Sequence, residues 1–437
     1  MFVQIYVTDG GSVSFVDYTK ISNLNFAPDI DLYALSLPIN TFTVDIITDD
    51  EIAEFNYAEL YDDLTQPWAR YWITAADRIS PGVVRLTAKS PLYTLEYATM
   101  AAEMYSAEPA ADLIVDCIDA SGQFGAGAVS IDSSLSNATI TGYCPEQTAR
   151  ERLTWVLFAI GACAKMSFDY TVRIEPIDDT TALIPYNRTF WRPQITQGEW
   201  VTSVKVTSFA FTEAQSQAEW EADDSSYRFP MPWVCAEQDF TLSNSNAPSG
   251  VPEKVVEVGE LYLINANNAN DILNRLAAYY FNRTEVTLDC VNNREFLPGD
   301  KVMAYMAEDA LITGYIASAA FKFGLQARST LKLIGVEEVT GAELTINYVY
   351  SGGRIGQATY FLPVGYTFSI ENPYIDRTHE GRRFVYRPQT EYATGTMVSG
   401  DNTVTVNYDI ALESHDDILI VYYVDGVETS SGVGVIS

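Results

Sequence analysis

The strongest constraint on this chain is its period-two grammar. Short runs rich in β-branched and aromatic residues recur at VQIYV (3–7), YALSLPI (33–39), FTVDII (42–47), ARYWIT (69–74) and VVRLTAK (83–89). Several alternate, which places successive side chains on opposite faces and predicts strands buried on one side. The last two runs are joined by ADRISPGV, where Pro81 presets the first central turn residue and Gly82 supplies the positive φ of the second. A hairpin is expected there. The acidic segment DDEIAEFNYAELYDD (49–63) falls between strands and is expected to be a solvated excursion.

After Ser90 the period changes. PLYTLEYATMAAEMYS (91–106) begins with Pro91 in a helical first turn and carries Leu92, Leu95, Met100 and Met104 among good helix formers. EPAADLIVDCIDAS (108–121) follows with Leu113, Ile114, Cys117 and Ile118 at helical spacing. In YCPEQTARERLTWVLFAIGACAKMSFDYTVRIEP (143–176), Ala149, Leu153, Val156, Leu157, Ile160 and Ala164 define one apolar helical face. Beyond Gly161 the alternation of Phe168, Tyr170, Val172 and Ile174 predicts that the helix feeds a strand.

Strand runs return between 200 and 340: WVTSVKVTSFAF, KVVEVGELYLI, EVTLDCV, KVMAYMA, LITGYIASAAFKF and STLKLIGVEEV. Between them NANDILNRLAAYYFNRT predicts a helix, with Ile272, Leu273, Leu276, Ala277 and Tyr280 on one side. From Leu344, LTINYVYSGGRIGQATYFLPVGYTFSIENPYID pairs two strand runs around a glycine turn. GTMVSGDNTVTVNYD and ILIVYYVDGV then add further strands. The expected class is mainly β with α insertions (α+β): two β-barrels at 1–90 and 200–340 flanking a helical block at 91–199, and a small β or β-grasp appendage at 341–437.

Charge narrows the function. There are 26 Lys and Arg against 58 Asp and Glu, a formal net charge of −32. Such a surface repels nucleic acid and anionic membranes, so a sequence-reading DNA binder is not expected. The ten uncharged residues from Trp155 to Ala164 are too few to span a bilayer. No membrane insertion is expected. MFVQIYVTDG reads as a first strand and not as a signal peptide, so folding in a cytoplasm is expected. Five cysteines at 117, 144, 163, 235 and 290 lack C-x-x-C spacing. They point to reduced, mostly buried thiols, with Cys163 a small apolar filler.

Catalytic chemistry finds few letters. A triad needs a base near neutral pKa, and only His379 and His415 exist, both in polar contexts (DRTHEGRR and LESHDD). GGRIGQ lacks the Lys-Ser/Thr of a phosphate cradle. A glycosidase needs two carboxyls about 5 to 9 Å apart, which Asp49, Asp50, Glu51, Asp62 and Asp63 could supply, but a charge run is usually a solvated face. Calcium binding by Asp29 and Asp31, or by the Asp49 cluster, lacks the DxDxDG pattern. Trp155 is expected to anchor a core. No enzyme is expected, and no catalytic, cofactor-binding or metal-binding residue is assigned.

Taken in order, FTVDIITDD, ARYWITAADRISPGVVRLTAKSPLYTLEYATM, AEPAADLIVDCI, TARERLTWVLFAIGACAKMSFDYTVRIEP, NDILNRLAAYYFNRT and REFLPGDKVMAY resemble the tail hub proteins of bacteriophages and related contractile injection machines. The resemblance covers about residues 1 to 340. It implies a homotrimer in which each subunit contributes two tube-like barrels, so that three chains continue a hexameric tail tube. Implied partners are a tail tube or distal tail protein above and a tip, fibre, spike or tape-measure protein below. DNA would pass through the channel without sequence-specific binding, past carboxylates that keep it from sticking. Residues 344 to 410 resemble the mucin-binding-protein type of β-grasp repeat, which implies for 341–437 a host-surface glycan or the next tail protein as ligand, with an inert decoration as the alternative. The implied product is a virion protein of the tail tip, assembled in the bacterial host cytoplasm. The alternative is a carbohydrate-binding adhesin or glycan-acting surface protein.

The helix over TARERLTWVLFAIGA serves a core in this reading. Ile160→Asp is therefore expected to abolish soluble folding and assembly, measured as soluble yield; wild-type-like solubility would overturn the placement.

Overall fold

A computed structural model describes residues 4–9, 12–16, 20–30, 37, 39–49, 57–61, 67–122, 129–166, 171–177, 181–190, 193–291, 295–307, 309–322, 328–379, 382–414, 418–424 and 427–434. Strands dominate, with four α-helices among these residues: α1 (Ala110–Asp119), α2 (Ala149–Ile160), α3 (Gln217–Ala222) and α4 (Ala269–Tyr280). The class is mainly β with α insertions. The chain divides into two compact units, 1–304 with 313–337 and 305–312 with 338–437.

In the first unit, Ser203–Glu213 and Val255–Val258 form a separate three-stranded sheet with Trp233–Ser243, while most strands read from sequence as two barrels run into one sheet. Its main path starts at Gln194–Gln197 and passes through Thr284–Val291, Arg328–Val339 and Ala310–Lys322 to Ile21–Ala27. It continues through Thr41–Ile47, Val83–Lys89, Pro67–Ser80, Tyr57–Tyr61 and Gln4–Asp9 to Ser12–Val16. The join between sequence-distant halves is the antiparallel pairing of Phe321 with Phe26 and of Lys322 with Asn25. Two more backbone bonds extend it, Ile30 N–H to the Ala317 carbonyl and Ala319 N–H to the Pro28 carbonyl, each 2.9 Å. Aromatic rings fill the space beneath: Phe26 stacks on Phe321 with centroids 5.5 Å apart, and Tyr71 meets both Phe26 and Phe42.

The Pro81-Gly82 hairpin forms as expected, with Gly82 at φ +73°. Two other segments differ from expectation. Part of the acidic stretch is a strand, Tyr57–Tyr61, clamped on one side by Gln4–Asp9 and on the other by Pro67–Ser80. Ala58 is fully buried there, so pairing on both flanks outweighs the local charge. The expected helix over 91–106 is instead a single 3₁₀ segment, Pro91–Tyr97, followed by the strand Glu103–Pro109. Thr94 bends its hydroxyl back to the Pro91 carbonyl (2.7 Å), and Glu103–Pro109 is captured by Thr139–Cys144.

The helices build a separate core. Ile114 and Ile118 of α1, Leu153 and Val156 of α2, and Ile272 and Leu276 of α4 are all buried in it, together with Val204 and Val206 of the strand Ser203–Glu213. Ile160 packs at its edge. No helix among the described residues is long and apolar enough to cross a membrane.

All described secondary structure of the second unit is strand. Gly341–Tyr350 lies between Gly353–Pro363, antiparallel, and Asn402–Ser414, parallel. Ser351 and Gly352 both take positive φ, +49° and +79°, in the tight turn of the first hairpin. Tyr305 donates to the Phe361 carbonyl, and Tyr348 meets Tyr408 edge to face.

Helix α2 ends on Gly161, whose left-handed φ of +72° lets its N–H reach back to the Leu157 and Phe158 carbonyls. A Cβ there would lie 1.7 Å from Arg275 Nη1. Gly161→Ala is expected to destabilise the fold by more than about 1 kcal/mol, read as a lower midpoint in chemical denaturation.

Candidate functional site

The residues that could do work here cluster around α2. Its N-terminus is closed by a capping box: Thr148 Oγ1 accepts from the Glu151 N–H (3.2 Å), and Glu151 Oε2 accepts from the Thr148 N–H (2.9 Å). Arg150 points outward, donating to Glu96 (2.6 Å) and to the Leu37 carbonyl. Arg152 points inward and is 1% exposed. Its guanidinium donates to the Tyr105 hydroxyl (3.1 Å) and to the carbonyls of Ala101 (2.6 Å) and Pro145 (3.1 Å), with Glu103 at 3.9 Å. One buried cation thus ties the helix to two neighbouring segments, residues 101–105 and Pro145. Burial pushes the Tyr105 phenol up, so it remains a neutral partner.

The other end of α2 is held by a second cation. Arg275 of α4 donates to the Phe158 carbonyl (2.6 Å) and lies over the Phe158 ring, occupying the space that Gly161 leaves open. In the following strand, Ala162–Met166, Lys165 bridges Glu175 (3.1 Å) and Asp300 (3.2 Å). Asp300 in turn accepts from the Leu297 N–H at 2.8 Å. Burial opposes the charge on Lys165, but Asp300 and Glu175 outweigh it and its pKa is raised. Asp300 and Leu297 are thereby fastened to the strand that follows α2. Sequence reading missed these cations. A signal existed for Arg152, which stands three residues after Ala149 and four before Val156, on the face read as apolar.

The catalytic candidates do not converge. Asp49 is exposed and its carbonyl accepts from Arg78 (3.0 Å); Asp50, Glu51, Asp62 and Asp63 lie outside the described residues. Asp29 uses its N–H on Asn40 Oδ1 (3.1 Å), and Asp31 lies outside the described residues. His379 ends a strand, its backbone paired with Arg382, and His415 lies outside the described residues. Gly352 and Gly353 of GGRIGQ belong to a hairpin turn. Cys163 is buried, donates weakly to the Glu175 carbonyl, and burial pushes its thiol up to about 11. It is no ready nucleophile. Among the described residues no group of three or more His, Cys, Asp or Glu could hold a metal ion. Trp155 is half-buried and meets Tyr262 edge to face.

That contact joins a larger aromatic group. Tyr262 also meets Phe209 and Phe229, and Phe229 meets Tyr143 and Phe211, all with centroids within 6.2 Å. Nearby, a cleft of about 710 Å³ opens beside the C-terminal end of α4, lined by Trp200, Asn244, Asn274, Phe281 and Arg283 among others. Arg283 covers the Trp200 ring at 4.3 Å and donates to Gln197 and Gly198. These groups serve packing and inter-element bracing.

No protein-family model matches the chain, and no curated protein matches it in sequence. Solved structures do. A tail protein from Neisseria meningitidis MC58 matches with a TM-score of 0.51 at 14% identity, over 76% of this chain and 96% of that one. The 43 kDa tail protein of prophage MuSo2 from Shewanella oneidensis matches with a TM-score of 0.51 at 9% identity, over 77% of this chain and 100% of that one. The chain shares its fold with these two tail proteins.

One acidic residue departs from the solvated role. Asp45 is 2% exposed and receives Arg85 through Nε (2.7 Å) and Nη2 (2.9 Å), with Asn23 at 2.7 Å. The hydrogen bond from Arg85 holds its carboxyl below the ordinary value of 3.8 against the opposing effect of burial. A depressed carboxylate stabilises the fold above its unfolded pKa, and that contribution is lost as pH falls through the folded value. Wild type is therefore expected to exceed Asp45→Asn in stability at neutral pH, with the gap closing below about pH 4, as measured by denaturation at several pH values.

Proposed function

We propose that the chain is a structural tail protein that assembles as a trimeric hub at the tail tip. The observation that carries the reading is the shared fold, which spans 96% and 100% of the two tail proteins and about three-quarters of this chain. The extended sheet of the first unit would supply the tube-like part of each subunit. The clamps around α2 suit a part that transmits load between rings, because they fix helix, strand and loop with charged, directional bonds. In this reading the chain surrounds a channel, adapts a hexameric tube to trimeric tip or fibre components, and performs no catalysis. Residues 341–437 would contact a host-surface glycan or the next tail protein.

Light scattering on the purified full chain, followed by negative-stain electron microscopy, tests the reading. Three times the monomer mass and a ring with a central channel are expected. A strict monomer with measurable glycan affinity would overturn it in favour of a carbohydrate-binding surface protein.

A further inference from the structure

The strands Ser203–Glu213 and Trp233–Ser243 pair along their full length, from Ser203 with Ser243 to Glu213 with Trp233. They form an arm whose tip is residues 214–232. This tip is built to hold its shape. Ser216 caps α3 by accepting from the Glu219 N–H, and Glu219 accepts from the Gln215 N–H at 2.8 Å. Asp223 accepts from the Ser225 N–H and hydroxyl (2.8 and 2.6 Å), and Ser225 Oγ accepts from the Cys235 N–H (2.8 Å). Trp220 donates to the Trp233 carbonyl (3.1 Å). Phe229 is buried against Tyr143, Phe211 and Tyr262, and Arg228 is paired with Glu237.

On this fixed base two large side chains face solvent. Tyr227 is 82% exposed and Met231 is 51% exposed, two residues either side of buried Phe229. Tyr and Met are the residue types enriched in protein interfaces, and presenting them on an ordered turn lowers the entropy lost on binding. Charge selects the partner. Between Glu213 and Pro232 stand Glu213, Glu219, Glu221, Asp223 and Asp224 against one cation, Arg228, which Glu237 already engages. These carboxylates repel nucleic acid and anionic lipid, and they disfavour pairing with the same acidic tip of a second copy. We propose that the arm tip, centred on Tyr227 and Met231, is a docking surface for a protein partner whose contact patch is apolar at its centre and basic at its rim. The proposal goes beyond the tail reading and stands whether or not the chain is a trimer.

A random displayed-peptide library, selected on the full-length chain and counter-selected on the Tyr227→Ser/Met231→Ser variant, is the probe. Enriched peptides are expected to be net positive with apolar residues between the charges. They should bind wild type about tenfold or more tighter than the double variant, a difference of about 1.4 kcal/mol, and weaken as salt rises. Asp224→Lys should weaken them independently. Both variants should unfold at the wild-type temperature, since the altered side chains are exposed. Failure to enrich, enrichment of neutral or acidic peptides, or equal affinity for wild type and Asp224→Lys would overturn the proposal. So would a photo-crosslinker at position 227 that joins the chain chiefly to another copy of itself.

Discussion

A guanidinium removed from water governs the centre of this molecule. Arg152 has to recover its lost hydration from neighbours, because an unpaired buried charge is strongly destabilising. The Tyr105 hydroxyl and two backbone carbonyls, from segments that precede α2 in sequence, supply partners to its two terminal nitrogens, while its buried Nε has none among the described residues. The apolar contacts of Leu153 and Val156 with α1 and α4 supply the bulk of the burial, but they are non-directional. The directional bonds of Arg152 select among the packings that burial alone would allow.

The same logic is repeated outward from the helix. Arg275 adds a side-chain donor to the Phe158 carbonyl at the α2 C-terminus, alongside the Gly161 N–H. Lys165 carries the connection to Asp300 and the loop ahead of the strand Lys301–Ala307. The sheet is joined differently, through the pairing of Ile21–Ala27 with Ala310–Lys322 over stacked Phe26 and Phe321. Cations thus brace the helical core, and backbone pairing over aromatics unites the sheet.

Legibility in the sequence followed the range of the interaction. The 81–82 turn was readable because proline and glycine act on their own φ. Segment 91–106 was misread as one helix because its composition favours helix, while the capture of Glu103–Pro109 by Thr139–Cys144 comes from residues more than thirty positions away. Tyr57–Tyr61 was hidden by surrounding carboxylates, although one of its two pairing partners, Pro67–Ser80, begins only six residues on. Of the cations around α2, Arg152 alone left a mark, a charge at an apolar helical position.

The sequence by itself determined the mainly β class, the positions of α1, α2 and α4, the burial of Cys163 and the scarcity of residues able to act as a base. These depend on side-chain period and residue chemistry, which are local. Tertiary structure decided that strands from opposite ends of the first unit share one sheet, that Arg152 and Asp45 lie inside, and that the 214–232 tip holds Tyr227 in solvent. Each of these depends on which distant groups meet. Pairing and desolvation act between residues far apart in the chain, so composition and period carry no record of them.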